Sequence, residues 1–274
     1  MNYYYLISSL PELSPQMDTS KLDFTELFDS INRNLSKQDI HLFKYLIYPN
    51  DLYNLLNVLS EKHQNMSAVD FKTPSVFEAE EVESFKKNKA NFSDFINDFL
   101  SQNEDRLSVM SRREMEDAMQ ERFYEEVFEL NNAFLTRYYK FNRTLKSIIA
   151  AYNFNTYDFL STPKIQDVDR LILQLGPGKS PSASLLEDYE FLEKLIAVLS
   201  EDQPEQSERL IDQVIWDFLD DSSAEPFSSE YVFAYTIKLQ LLKRWQKIEQ
   251  DSKSYKELLS NIINKNTSEK TLML

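Results

Sequence analysis

The tripeptide Gly178-Lys179-Ser180 invites comparison with a phosphate-binding P-loop, because it follows the apolar run Leu171-Ile172-Leu173. A P-loop also needs a glycine five residues before Gly178, so that backbone amides can wrap around the phosphates, and Leu173 occupies that position. Pro181 removes an amide where the following helix should donate to phosphate. The sequence therefore favours a flexible loop between two lobes over a nucleotide site.

Histidine, cysteine and carboxylate chemistry have no specific signal in the sequence. The chain has no cysteine, which excludes disulfides, thiolate metal ligands and cysteine nucleophiles. His41 and His63 are the two histidines, and neither belongs to a Glu-x-x-His pair of a di-iron site or accompanies a Gly-x-Ser-x-Gly elbow. Sequence alone cannot single out a pair with opposed pKa shifts among 45 carboxylates. We therefore predict no catalytic residue, no cofactor and no metal site, and a protein that is not an enzyme by itself.

The charge and hydropathy of the chain limit its partners. The net charge of −15 would repel a phosphate backbone, so we expect no nucleic-acid binding. Residues 201–225 hold nine acids and one base, Arg209; this tract is either a solvated face or a docking surface for a basic partner. No run approaches the roughly 18 apolar residues of a membrane span, and the first ten residues lack the basic region of a signal peptide. We therefore expect a soluble, cytoplasmic protein without direct membrane insertion.

Five basic residues and one tryptophan are the candidate contacts with a partner: Arg137, Arg143, Lys238, Lys243, Arg244 and Trp245. The basic group from Lys238 to Lys247 either surrounds a core helix with its aliphatic stems or contacts an acidic subunit. Trp245 beside Arg244 is a pair that interface hot spots favour, although Trp245 could equally belong to the core. Arg137 and Arg143 contact a partner or form internal ion pairs.

The elements that would position these residues are predicted to be helices. The chain has only two glycines, Gly176 and Gly178, where an average chain of this length would have roughly 19. Glycine supplies the positive-φ turns on which hairpins, barrels and nucleotide-binding sheets depend. The composition therefore predicts an all-α protein, an elongated, multi-lobed bundle of helices.

One predicted helix is much longer than the others. Ser111 and Glu114 form a capping-box pair, and from there apolar residues recur every three or four positions as far as Tyr152. Residues 114–129 hold seven acids and one base, whereas 137–146 hold four bases and no acid, which complements a helix dipole. The pattern predicts a rod of roughly 60 Å, with a kink at Asn131-Asn132.

Prolines and capping residues divide the rest of the chain. Pro49 and Asp51 are predicted to end one helix and to cap the next, and Ser184 with Glu187, Pro204, and Ser228 or Ser229 are predicted to begin later helices. We expect one all-α, multi-lobed unit over residues 1–274. Within it the sequence predicts sub-lobes 1–110 and 111–162, a hinge loop 163–183 and a C-terminal helical lobe 184–265.

Four stretches together resemble a known family. They are Asn2-Tyr3-Tyr4-Tyr5-Leu6 with Leu10-Pro11; Tyr48-Pro49-Asn50-Asp51-Leu52-Tyr53-Asn54-Leu55; Phe134-Leu135-Thr136-Arg137-Tyr138-Tyr139 running on to Ile148-Ile149-Ala150-Ala151; and Val232-Phe233-Ala234-Tyr235 with Lys238-Leu239 and Lys243-Arg244-Trp245. They resemble an uncharacterised bacterial family, typical of the Bacteroidetes, that is encoded among V/A-type ATPase subunits. That family in turn is similar to the ATPase C subunit, the d-type subunit of eukaryotic V-ATPases.

The resemblance implies an all-helical, funnel-like subunit without catalysis of its own. Such a subunit would lie at the cytoplasmic face of the inner membrane as a peripheral part of the ATPase complex. Its partners would be the membrane rotor ring and the central shaft, and it would transmit torque between ATP chemistry and ion transport. The known C subunits have three similar lobes, whereas this sequence does not contain three similar segments. The alternative function is that of a free-standing helical adaptor that binds another cytoplasmic protein.

Overall fold

A computed structural model describes residues 3–64, 71–84, 92–157, 168–201, 203–223 and 225–271. These residues contain helices and no strand, which confirms the predicted all-α class. The helices are α1 (Tyr4–Ser9), a 3-10 helix (Thr19–Lys21), α2 (Phe24–Asn34), α3 (Lys37–Gln64), α4 (Ala79–Glu83), α5 (Asp94–Gln102), α6 (Arg112–Glu129), α7 (Ala133–Tyr157), α8 (Val168–Gln174), α9 (Ala183–Asp188), α10 (Leu192–Ser200), α11 (Pro204–Ser222) and α12 (Ser229–Thr271). No helix in the described ranges is long and apolar enough to cross a bilayer.

The chain forms two compact units. The terminal unit joins Met1–Asn34 to Glu225–Leu274, and the central unit is Leu35–Ala224. In the terminal unit the Tyr3 amide donates to the Phe227 carbonyl at 2.7 Å, and the Tyr235 hydroxyl donates to the Pro11 carbonyl at 2.9 Å. The beginning of the chain is therefore held against α12 by hydrogen bonds as well as by its apolar residues.

Helix α3 continues through Pro49, which corrects the prediction that Pro49 ends a helix. A proline in a helix leaves the carbonyl four residues earlier without its N–H donor. That carbonyl belongs to Tyr45, and the hydroxyl of Tyr139 donates to it at 2.6 Å in the buried interior. The α3 helix remains continuous because a residue of α7 supplies the missing hydrogen bond.

The predicted 60 Å rod is instead a hairpin of two helices, α6 and α7. The Ser111–Glu114 capping box starts α6 as predicted, but Asn131 has a φ of 52° and reverses the chain. The Asn132 side chain then accepts from the Leu135 amide at 2.9 Å and caps α7. The Phe123 and Tyr139 rings, eight residues on either side of Asn131, meet at 5.0 Å, so the two helices run antiparallel.

The boundaries of the helices after α8 agree only in part with those predicted from the sequence. Pro204 stands in the first turn of α11 as predicted, and the Ser228 hydroxyl accepts from the Tyr231 amide at the start of α12. The predicted cap at Ser184 is wrong by two residues, since Ser182 caps α9 through the Leu185 amide. Helix α12 continues to Thr271, six residues beyond the predicted end of the C-terminal lobe at residue 265.

Candidate functional site

Helix α7 carries a polar stripe on the side that lines a cavity. Lys140, Arg143, Thr144 and Ser147 lie at the i, i+3, i+4 and i+7 positions that share one face of a helix. Helix α8 packs against α7, and a stripe facing a neighbouring helix is ordinarily apolar. Here polar and charged groups line the space between the two helices instead.

The stripe forms one wall of a cavity of about 430 Å³ in the central unit. Phe128 of α6, helices α8 and α9 and the segment after α9 complete it. The lining residues are Phe128, Lys140, Arg143, Thr144, Ser147, Arg170, Leu171, Leu185 and Tyr189. Three of them are cations, three carry hydroxyls and none is an acid. We call this space the basic cavity.

The two arginines of the basic cavity are oriented by acids that lie outside its lining. Arg143 Nη2 donates to both carboxylate oxygens of Glu121, at 3.1 and 2.8 Å, and its guanidinium carbon lies 5.2 Å from the centroid of the Tyr124 ring. Arg170 Nη2 lies 3.4 Å from Asp188. Burial raises the pKa of Tyr124 to about 12, although the positive charge of Arg143 opposes that rise. Tyr124 is therefore neutral and serves as a packing surface for the guanidinium.

The Lys140 ammonium is held more loosely than Arg143. Its nitrogen lies 5.8 Å from the centroid of the Phe128 ring, near the outer limit of a cation–π contact, and the residue is exposed. Phe128 itself is half-buried and lines the same cavity. The cavity therefore has an exposed ammonium at its rim and an ion-paired guanidinium on its wall, which together favour an anionic ligand.

A second cavity in the central unit has a mixed lining. It measures about 590 Å³, and its charged lining residues are Lys44, Glu81, Asp94 and Glu126, together with His41. The Tyr45 hydroxyl donates to Glu126 at 2.9 Å. Burial and Glu126 both raise the pKa of Tyr45, so the hydroxyl stays protonated. Its three carboxylates outnumber the one lysine, so the lining of this cavity carries net negative charge, unlike that of the basic cavity.

Asp51 on α3 is the most deeply buried carboxylate among the described residues, with an exposed fraction of 1%. It accepts hydrogen bonds from the Ser75 hydroxyl at 2.5 Å and from the Val76 and Phe77 amides at 3.1 and 3.2 Å. Burial raises the pKa of Asp51 to about 6, while those hydrogen bonds oppose the rise.

Two asparagines of α3 hold the same segment as Asp51. Asn54 accepts from the Lys72 amide and donates to the Lys72 carbonyl, and Asn50 donates to the Pro74 carbonyl. We call Asn50, Asp51, Asn54 and residues 72–77 the Asp51 cluster. Its polar groups are used by the chain itself, so the cluster fastens a loop rather than binding a ligand.

The predicted contact residues fall into both units. In the central unit Arg143 lines the basic cavity, while Arg137 lies on the exposed side of α7 and donates to the Ser222 carbonyl at 3.2 Å. In the terminal unit Lys238, Lys243, Arg244 and Trp245 all lie on α12. The last four residues therefore lie on one helix. Of the two arginines of α7, only Arg143 lines the basic cavity.

The α12 residues differ in their exposure. Trp245 is only 8% exposed and belongs to the core of the terminal unit, whereas Arg244 is exposed. The Lys243 ammonium lies 5.8 Å from the centroid of the Phe28 ring, and burial, followed by the charge of Lys247, lowers the pKa of Lys243. Arg244 is therefore the predicted α12 residue best placed to meet a partner.

Sequence reasoning missed two cations of the basic cavity, Lys140 and Arg170. Lys140 was detectable, because residues 137–146 carry four bases and Lys140 precedes Arg143 by one helical turn. Arg170 lies far along the chain and has no local signal. The Lys179 of the P-loop-like tripeptide donates instead to the Ile172 carbonyl of its own chain.

Gly176, which belongs to the same loop as Lys179, has a structural role. It has a φ of 129°, and a side chain there would place its Cβ 2.5 Å from Asn155 Cβ. No cluster of three or more potential metal ligands occurs in the part of the chain that the structure describes.

A family model described as "Protein of unknown function (DUF2764)" matches residues 1–269, and the chain belongs to that family. The prediction that the sequence falls in an uncharacterised family is thereby confirmed. No curated protein and no solved structure matches the chain. The similarity to the ATPase C subunit stays a prediction.

Proposed function

We propose that this protein is a non-catalytic central-stalk subunit of a V/A-type rotary ATPase that couples the rotor shaft to the membrane ring. The observation that carries the proposal is the resemblance of the four sequence stretches, from Asn2 to Trp245, to a family encoded among V/A-type ATPase subunits. In this role the protein has two partners, the shaft and the ring. It lies at the cytoplasmic face of the inner membrane through the complex.

The mechanical requirement of such a subunit is stiffness, and the helices are compatible with it. Helices α3, α7 and α12 contain 28, 25 and 43 residues, which at 1.5 Å per residue span roughly 40 to 65 Å. Tyr139, which belongs to one resembling stretch, donates to the Tyr45 carbonyl, three residues before the stretch that contains Pro49. A residue that carries the resemblance therefore completes the hydrogen bonding of a long helix.

The exposed face of α12 is the contact surface that we assign to an acidic partner subunit. Arg244 and Lys247 are exposed on consecutive turns of this helix. Charged groups at the rim of an interface mainly steer association and fix its orientation. This surface is basic on a chain whose net charge is −15, so its charge complements an acidic patch on the shaft or the ring.

The experiment is affinity purification of the tagged protein from native membranes after mild detergent extraction. We expect shaft and ring subunits to co-purify, and we expect the isolated protein not to hydrolyse ATP. Arg244→Glu with Lys247→Glu should reduce the recovery of those subunits. Lys21→Glu, which changes the charge of an exposed lysine in the same unit, should not. Recovery of no ATPase subunit would refute the proposal.

The second candidate function is a free-standing adaptor, and helix α11 favours it. Its exposed acids include Glu205, Glu208, Asp217, Asp220 and Asp221, whereas Asp212 is buried at 7% exposure. An acidic face of this kind suits a basic partner protein. Co-purification of a soluble partner outside the ATPase, lost in an Asp217→Lys and Asp221→Lys variant, would favour the adaptor over the stalk subunit.

A further inference from the structure

The basic cavity combines features of a small-molecule site that the proposed mechanical function does not use. Its volume of about 430 Å³ lies within the range of ligand pockets, roughly 300 to 1,000 Å³. Leu171 and Leu185 are buried in its wall, and the half-buried rings of Phe128 and Tyr189 lie beside them. The cavity therefore offers an apolar surface next to its three cations.

The cations are placed to bind a phosphate. A guanidinium has five N–H donors in a planar fork that matches phosphate oxygens, and an ammonium supplies a compact charge. The contact of Arg143 with Glu121 uses Nη2, so the ion pair orients the guanidinium without using its whole donor set. Lys140 at the rim is exposed and can turn toward a ligand.

We propose that the basic cavity binds a small molecule that carries phosphate and an apolar portion, of the nucleotide class. Lys140, Arg143 and Arg170 neutralise the phosphate, Thr144 donates to it, and Phe128 and Tyr189 contact the apolar portion. This inference goes beyond the stalk function and does not depend on it. It concerns a site different from the Gly178-Lys179-Ser180 loop, whose lysine donates to its own backbone.

The negative charge of the whole protein favours a small phosphate ester over a polyanion as the ligand of the basic cavity. Two acids, Glu121 and Asp188, pair with the arginines of the basic cavity, and the net charge is −15. A nucleic acid or an acidic protein segment would bring many negative charges against these acids. A small ligand brings few charges and places them inside the cavity, whose lining has three cations and no acid.

The test is calorimetric titration of the full-length protein with inorganic pyrophosphate, ADP and a poly-glutamate peptide at low salt. We expect one equivalent of ADP to bind, more tightly than pyrophosphate, and the peptide not to bind. Lys140→Gln and Arg170→Gln should each weaken ADP binding by about tenfold or more, the usual effect of losing a hydrogen bond to a charged group. Lys194→Gln, at an exposed lysine of α10 in the same unit, should bind ADP like the wild type.

Three results would overturn the inference. The first is that neither pyrophosphate nor ADP binds. The second is that Lys140→Gln and Arg170→Gln bind ADP as the wild type does, or that Lys194→Gln weakens binding equally. The third is that only the peptide binds, which would make the cavity a protein-docking site. Because these titrations use the isolated protein, their outcome is independent of co-purification with ATPase subunits.

Discussion

The Asp51 cluster and the basic cavity are two polar regions of the same unit that use charge in opposite ways. Asp51 is 1% exposed and is surrounded by donors from residues 75–77. In the basic cavity, by contrast, Lys140, Arg143 and Arg170 surround about 430 Å³ of open space. In the Asp51 cluster the charged group is hydrogen-bonded by the chain itself. In the basic cavity the charged groups face a space that the chain does not fill.

The difference separates charge that stabilises a fold from charge that is available to a ligand. Burying a carboxylate is tolerated only when hydrogen bonds compensate its lost hydration, so each donor to Asp51 is necessary to the fold. Charges beside open space keep most of their hydration and add little to stability. The comparison therefore predicts large stability effects at Asp51 and small ones in the basic cavity.

The largest effect is expected from Asp51→Ala. This change leaves the Val76 and Phe77 amides without their acceptor, whereas the Ser75 hydroxyl can still donate to the Phe77 carbonyl. Each buried donor left unpaired costs about 1–3 kcal/mol. We expect the free energy of unfolding to fall by about 4 kcal/mol in urea denaturation. Asp105→Ala, at an exposed aspartate of the same unit, is the matched control. A loss below about 1 kcal/mol would show that the cluster is not essential to the fold.

A second test is the pH dependence of the Asp51 contribution. Burial raises the pKa of Asp51 from 3.8 to about 6 in the folded protein. Between these values the folded protein binds a proton that the unfolded chain has released, so stability from this group is complete below about pH 4 and is lost as the pH rises through about 6. Relative to Asp51→Asn, the wild type should lose about 2 kcal/mol between about pH 4 and pH 7.

Urea denaturation of both proteins at several pH values measures this difference. The other carboxylates titrate in both proteins, so their effects cancel. A difference that stays constant, or that increases with pH, would show that the hydrogen bonds from residues 75–77 outweigh burial and that the pKa of Asp51 is not raised.

A smaller effect is expected from Tyr139→Phe, which tests a neutral buried contact instead of a charged one. Its hydroxyl donates to the Tyr45 carbonyl, whose helical donor is missing at Pro49. We expect a loss of about 1–3 kcal/mol in the free energy of unfolding. In a Pro49→Ala background the alanine N–H can donate to the Tyr45 carbonyl, so the same change should cost less.

The double-mutant cycle of Tyr139 and Pro49 isolates this coupling. Tyr124→Phe is a suitable control, because it removes a hydroxyl from a neighbouring buried ring without changing the Tyr45 carbonyl. An equal cost of Tyr139→Phe in both backgrounds would mean that Pro49 is accommodated by some other means.

The error at Pro49 shows which features a sequence can predict. The helical class, the Ser111 cap and the start of α11 at Pro204 follow from local composition and spacing, and the structure has them. Continuity through Pro49 depends on Tyr139, 94 residues from Tyr45. A local rule could not include that donor, so the rule predicted a break where the fold has a helix.

The hairpin of α6 and α7 illustrates the same limit at a different scale. The apolar spacing continues across the turn, so periodicity alone predicted one rod, and only Asn131-Asn132 indicated where it would bend. Sequence located the turn but not its angle, because the reversal depends on the left-handed Asn131 and on contacts such as Phe123 with Tyr139. The same limit applies to the basic cavity. The spacing of its α7 stripe can be read from the sequence, whereas tertiary packing alone brings Arg170 and Tyr189 beside that stripe.

The smallest change in stability is expected from Lys140→Gln, in the basic cavity. Lys140→Gln removes an exposed charge whose nitrogen is 5.8 Å from the Phe128 centroid, and exposed substitutions of this kind usually change stability by less than about 0.5 kcal/mol. We therefore expect urea denaturation to show wild-type stability in the same variant that loses ligand affinity. A loss comparable to that of Asp51→Ala would mean that the cavity charges maintain the fold. Unchanged stability together with weakened ADP binding would assign them to a ligand, since only charges that the fold does not require can be replaced without structural cost.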